Sequence, residues 1–81
     1  MSCTVSVQCL GMLREAVGGE PIPIDNVATA GEALTVLAAR FEAIAALKGA
    51  VALATDNGYL QQEDSLHPGM RLLLVPPVSG G

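Results

Sequence analysis

Met70-Arg71-Leu72-Leu73-Leu74-Val75-Pro76-Pro77-Val78-Ser79-Gly80-Gly81 decides how the sequence is read. Its first half, residues 70–75, is a nearly unbroken apolar run. That pattern predicts a central strand buried on both faces. Its second half starts with two prolines, which are stiff and extended and aim the chain's last residues away from a sheet. At about 3.3 Å per residue, the six residues 76–81 reach roughly 20 Å. Gly80 and Gly81 carry no Cβ, so the end of this arm can thread a channel that other residues would block. Glycine averages about 7% of residues, so a terminal Gly-Gly arises by chance in roughly one chain in 200. A frayed end is the plainer reading. A frayed end, however, rarely follows an apolar strand so closely and stops at its most slender point.

Outward from this segment, residues 3–10 (CTVSVQCL) alternate, with Val5, Val7 and Cys9 on one face and Thr4, Ser6 and Gln8 on the other. They read as a second apolar strand. Residues 11–17 (GMLREAV) place Met12, Leu13, Ala16 and Val17 at helical spacing, and Gly18-Gly19 signals a stop. Residues 20–25 (EPIPID) alternate again. Pro21 and Pro23 cannot donate ladder hydrogen bonds, which puts this strand at a sheet edge. Thr29-Ala30-Gly31-Glu32 fits a capping box. It opens a helix expected over about 30–47, with Ala33, Leu34, Leu37, Phe41, Ile44 and Leu47 on one stripe. Glu32, Arg40, Glu42 and Lys48 lie off the stripe, and Gly49 closes the helix. Residues 50–54 (AVALA) read as a short buried strand. Asp56-Asn57-Gly58 is a turn, Tyr59-Leu60 a short return strand, 61–65 a polar loop and His67-Pro68-Gly69 a second turn.

One long helix with several strands gives a two-layer α+β domain. The first and last strands are the most apolar, so they belong side by side in the middle. There they run parallel, joined by a crossover through the long helix. Residues 1–75 form the domain and 76–81 a flexible tail. The uncovered side of so small a sheet is expected to leave an apolar patch near residues 72–78, rimmed by acidic residues, on which a larger partner docks.

The 81 residues carry four Lys+Arg against eight Asp+Glu, a net charge of −4. That makes nucleic acid a poor fit and a basic protein surface a better one. Phe41 and Tyr59 are the only aromatic residues, too few for a base-stacking platform. No apolar run approaches the roughly 18 residues of a membrane span. No basic cluster precedes an apolar stretch at the start, so no signal peptide is visible; two cysteines read as reduced make a cytoplasmic location the expectation.

Side-chain chemistry is sparse. No Walker-type loop, GxGxxG or CxxC motif is present. Cys3 and Cys9, six apart on a strand, share a face but lie about 20 Å apart, too far for a disulfide. They read as small, reduced, buried side chains. A metal site would need more than the single His67, and none is expected. His67, in a turn, reads as solvated, and Arg14-Glu15 as a solvated pair. Asp64 and Ser65 read as turn residues. No second histidine could activate Cys9 as a nucleophile. What remains is the α-carboxyl of Gly81. A carboxylate is inert until ATP converts it to a mixed anhydride, from which sulfur or nitrogen nucleophiles displace AMP. A separate activating enzyme would do that work.

The strand–short helix start with Leu13-Arg14-Glu15, then Gly18, the long helix, Leu66, Gly69 and above all Val75-Pro76-Pro77-Val78-Ser79-Gly80-Gly81 resemble the small subunit of molybdopterin synthase, over the whole chain. The resemblance implies a ubiquitin-like β-grasp fold and a role as sulfur carrier in molybdenum cofactor biosynthesis. Gly81 would be adenylated, then converted to a thiocarboxylate. The tail, with Pro76, Pro77, Val78, Ser79 and Gly80 as partner contacts, would enter the large subunit. Its sulfur would pass to cyclic pyranopterin monophosphate. The implied partners are that large subunit in a heterotetramer, an E1-like adenylating enzyme consuming ATP, and a sulfur donor of the desulfurase or rhodanese type. No cofactor would be held permanently. The sequence departs from the family at Met70-Arg71, where Asp-Glu is usual, and at Thr55-Asp56, where Val-Asn is frequent. Cys9, Leu10, Leu74 and Val75 replace common aromatic residues. These departures touch packing and partner contacts rather than the tail. Carriers for thiamine or cysteine synthesis, and ubiquitin-like modifiers that acylate lysines, share the same tail chemistry up to the adenylate.

Overall fold

The computed structural model describes residues 3–47 and 50–77. The expected helix end at Lys48-Gly49 and the tail residues Val78, Ser79, Gly80 and Gly81 lie outside the described residues. The elements run in the order β1 (Cys3–Cys9), α1 (Met12–Val17), β2 (Ile22–Val27), α2 (Ala30–Arg40), α3 (Glu42–Ala45), β3 (Ala52–Thr55), β4 (Gly58–Leu60) and β5 (Arg71–Val75). The five strands form one mixed sheet, ordered β2-β1-β5-β3-β4. β1 and β5 pair in parallel at its centre, from Ser6 opposite Arg71 to Cys9 opposite Leu74. All other pairs are antiparallel. Both proline-bearing β2 and short β4 lie at the edges.

The core lies on one side of the sheet. Val5, Val7 and Cys9 from β1, Ile24 and Val27 from β2, Leu53 from β3, and Leu72 and Leu74 from β5 meet Leu13 of α1, Ala30, Ala33 and Leu37 of α2 and Ile44 of α3. On α1 only Leu13 is buried and Val17 half-buried, whereas Met12 and Ala16 face outward. A two-turn helix that touches the core along one (i, i+4) line has room for no more.

Thr29 caps α2 as the capping-box pattern requires, its Oγ1 accepting the Glu32 N–H at 3.3 Å. The reciprocal contact is displaced by one residue: Glu32 Oε1 accepts from the Ala28 N–H at 3.0 Å rather than from Thr29. The single helix expected over 30–47 is broken. Phe41 is extended (φ −130°, ψ 116°) and serves at once as the C-cap of α2 and the N-cap of α3. A straight helix of that length would run about 27 Å. The turn at Phe41 instead sends Ile44 back into the core. It is held by Arg40, whose guanidinium lies 5.6 Å from the Phe41 ring centroid and donates to the Pro23 carbonyl at 3.1 Å.

Two strand boundaries also move. β2 runs to Val27 rather than ending at Asp25, because its pairing with β1 slips by one residue between Cys3 and Val5. Asn26 takes up the extra residue at φ 59°, a conformation asparagine tolerates, and Val27 returns to the core face. β3 begins at Ala52, where its ladder with Val75 begins, although Val51 is already buried. The expectation that residues 70–75 are buried on both faces does not hold. Leu72 and Leu74 are buried, but Arg71 is exposed and Leu73 and Val75 are half-buried. All the described helices pack on one face, so the alternate residues of even this central strand reach solvent.

Both cysteines are free. Cys9 is buried and burial pushes its thiol pKa upward. Cys3 is half-buried and its Sγ donates to the Val27 carbonyl at 3.4 Å.

Three outcomes test this packing. Leu37→Ala should destabilise the domain by about 2–5 kcal/mol and Thr29→Ala by about 1 kcal/mol. At roughly 4–8 °C per kcal/mol for a domain of this size, thermal melts will separate the two. In native protein a maleimide should modify Cys3 well before Cys9, read by peptide mass.

Candidate functional site

Parallel pairing brings the C-terminal ends of β1 and β5 to the same end of the sheet. The Leu10 N–H donates to the Leu74 carbonyl at 3.1 Å, extending the ladder past β1. The chain after β5 therefore leaves beside the β1–α1 turn. Gly11 sits there at φ 57°, ψ −135°, a backbone conformation open essentially to glycine. A Cβ built on Gly11 would lie 3.1 Å from Pro76 Cγ. The root of the tail thus rests against the turn, half-buried at Pro76 and exposed at Pro77. Of the tail, Pro76 and Pro77 fall within the described residues, whereas Val78, Ser79, Gly80 and Gly81 do not.

The open sheet face next to this exit is organised in rows set by strand register. Gln8 of β1 lies opposite Leu73 of β5, Leu73 opposite Ala54 of β3, and Ala54 opposite Tyr59 of β4. Tyr59 is 70% exposed. Val75 and Ala52 make a parallel row nearer the tail. On the far side, Pro23, Ser6 and Arg71 line up across β2, β1 and β5. The result is an apolar band, Leu73–Ala54–Tyr59 with Val75–Ala52, in which Tyr59 is exposed, Leu73, Val75 and Ala52 are half-buried and Ala54 is buried among its neighbours. It is bordered toward β1 by Ser6 and Gln8, and at the start of β5 by Arg71. A depression on this side is lined by Ser6, Gln8, Pro21, Thr55, Asp56, Arg71, Leu72 and Leu73. The expected acidic rim is therefore only partly acidic: Asp56 is there, but the cation Arg71 stands beside it.

The remaining candidate residues do not gather. His67 is exposed in its turn, and its backbone N–H reaches Met70 Sδ at 3.1 Å. Arg14 lies along Gly19, where an added Cβ would meet its Nε at 2.9 Å. The neighbouring Gly18 N–H closes α1 on the Arg14 carbonyl at 2.9 Å. Asp64 Oδ2 accepts from the Gln61 N–H, and Ser65 bridges to Thr29, so both shape the loop before β5. Among the described residues no group of three or more His, Cys, Asp or Glu side chains is placed to hold a metal ion. No helix among them is long and apolar enough to cross a membrane. The buried, undissociated Cys9 thiol is a poor nucleophile.

Sequence reading missed Gly11 as the support of Pro76, and the partnership of Ala52, Ala54 and Tyr59 with Leu73 and Val75. The glycine offered a signal, since Gly11 precedes a helix with no cap side chain. The band offered none, because it exists only once register is known.

The ThiS family matches residues 7–81. No curated protein matches the sequence. Among solved structures, SAMP1 from Haloferax volcanii aligns with a TM-score of 0.77 at 23% identity, covering 96% of this chain and 99% of that one. The small archaeal modifier protein 1 from Methanosarcina acetivorans aligns at 0.75 and 20% identity, covering 100% and 99%. The ubiquitin of Caldiarchaeum subterraneum aligns at 0.67 and 18% identity over the full length of both chains. These likenesses make the fold a ubiquitin-like β-grasp. With that fold, and with a family match spanning all but the first six residues, the chain belongs to the ThiS family of ubiquitin-like sulfur carriers.

Proposed function

We propose that the chain carries sulfur on the α-carboxyl of Gly81 and serves as the small subunit of molybdopterin synthase. The observation that carries this reading is the exit of β5 into Pro76-Pro77, continued in sequence by Val78-Ser79-Gly80-Gly81, within a ThiS-family match that runs through residue 81. The chemistry is that of a carboxylate. Attack of the Gly81 carboxylate on the α-phosphate of ATP forms the acyl adenylate and releases pyrophosphate. The persulfide sulfur of a donor then displaces AMP to give an acyl disulfide, whose S–S bond a second thiol cleaves, releasing the thiocarboxylate and leaving a disulfide on the donor. In the large subunit the sulfur passes to cyclic pyranopterin monophosphate and Gly81 returns to a carboxylate. The chain supplies no general acid or base. It supplies reach, through Pro76-Pro77, and slenderness, through Gly80. The apolar band at the tail exit supplies a surface for an E1-like adenylating enzyme and for the large subunit to grip. A donor of the desulfurase or rhodanese type would furnish the sulfur.

A second reading is favoured by the likeness to proteins named as modifiers. There the same adenylate is attacked by a lysine amine, giving an isopeptide and AMP. Carriers for thiamine or cysteine synthesis differ only in the acceptor.

Deleting Gly81 should abolish molybdopterin formation in a reconstituted synthase while leaving the melting temperature unchanged. Gly80→Val should reduce it about 100-fold or more, since small misplacements of a reacting group cost that much. Replacing Cys3, Cys9 or His67 should leave most of the activity. Full activity without Gly81 would overturn the sulfur-carrier reading. Conjugates on lysine in place of molybdopterin would favour the modifier.

A further inference from the structure

The open face holds a charged group that its own packing does not explain. Arg71 begins β5 exposed, opposite Ser6, beside the band of Leu73, Ala54 and Tyr59. Of the other two described arginines, Arg40 is engaged with the Pro23 carbonyl and the Phe41 ring, and Arg14 lies on α1, on the helical side of the sheet. The hydrogen bonds among the described residues do not include the Arg71 guanidinium, and no contact among them requires its charge there. The chain as a whole is acidic, at −4. A cation left free at the edge of an apolar band is energetically neutral in solvent. It becomes costly once a partner covers the band, unless the partner brings an acceptor. Asp56 lines the same depression, so an approaching surface meets both signs and is fixed in register by them.

Resting on the carrier reading, we propose that Arg71 is a specificity residue: the adenylating enzyme that receives the tail presents a carboxylate opposite Arg71, beside an apolar ridge that covers Leu73, Ala54 and Tyr59. An enzyme with a basic side chain at that point would be rejected by like charge, whatever its fit to the tail.

Calorimetric titration of the full chain with the adenylating enzyme encoded in the same genome, without ATP, reads docking apart from chemistry. Arg71→Glu should weaken binding at least about tenfold, whereas Arg71→Lys should stay within about threefold. Raising salt from about 50 to 300 mM should weaken the wild type more than Arg71→Gln. Circular dichroism melts will confirm that the variants fold, as expected for an exposed strand position. Equal binding of Arg71→Glu and wild type would overturn the proposal. So would failure of the wild type to bind, or a self-dimer of the chain that Arg71→Glu dissolves, which would mean a second copy occupies the face. ATP–pyrophosphate exchange, measured in parallel with the Gly81 deletion, separates the two claims. Exchange that needs Gly81 but ignores Arg71 leaves the carrier and removes the specificity residue. Arg71-dependent binding without exchange does the reverse.

Discussion

Parallel pairing of β1 with β5 is the constraint on which the rest of the structure depends. The two strands come from opposite ends of the sequence, yet Ser6 through Cys9 lie beside Arg71 through Leu74. Parallel neighbours need a crossover, and the helical segment at 30–45 supplies it on one face. Parallel pairing also places the C-terminal ends of both strands at the same end of the sheet. The glycine turn after β1 and the prolines after β5 are therefore neighbours, and Gly11 supports Pro76. An antiparallel pair would have sent the tail out at the opposite end, away from that support.

The second consequence is one-sidedness. With every described helix on the same face, the central strands β1 and β5 alternate between the core and an open surface. On β5 the alternation places Leu72 and Leu74 inward and Arg71, Leu73 and Val75 outward. The outward set lies in the element that leads into the tail. A partner covering the open face is thus positioned to receive whatever the tail presents. Fold and proposed chemistry are linked by this strand: the same five residues complete the core, contribute to the open face and lead into Pro76-Pro77.

Much of this was legible in the sequence because it depends on local pattern. Pro21 and Pro23 marked an edge at β2, the Asp56-Asn57-Gly58 turn marked a hairpin, and Thr29 with Glu32 marked the start of α2. The features that escaped depend on what meets what. The break at Phe41 has no proline or glycine to announce it. It arises from the contacts of Arg40 with Pro23 and Phe41, seventeen residues apart at their furthest. The bulge at Asn26 is set by register with β1. The apolar run at 70–75 reads as buried on both sides because hydropathy reports transfer from water, not which layer is present to receive it. The reading of the tail rests on sequence alone, since the role proposed for it lies in the backbone and terminal carboxylate rather than in any side-chain cluster.

The central claim is that the reactive group is the Gly81 carboxyl. It is tested most directly by the intact and fragment mass of the chain after incubation with ATP, its adenylating enzyme and a sulfur source. The account predicts replacement of one oxygen by sulfur, confined to the fragment that contains Gly81. A sulfur gain located on Cys3 or Cys9, with the C-terminal fragment unchanged, would contradict it.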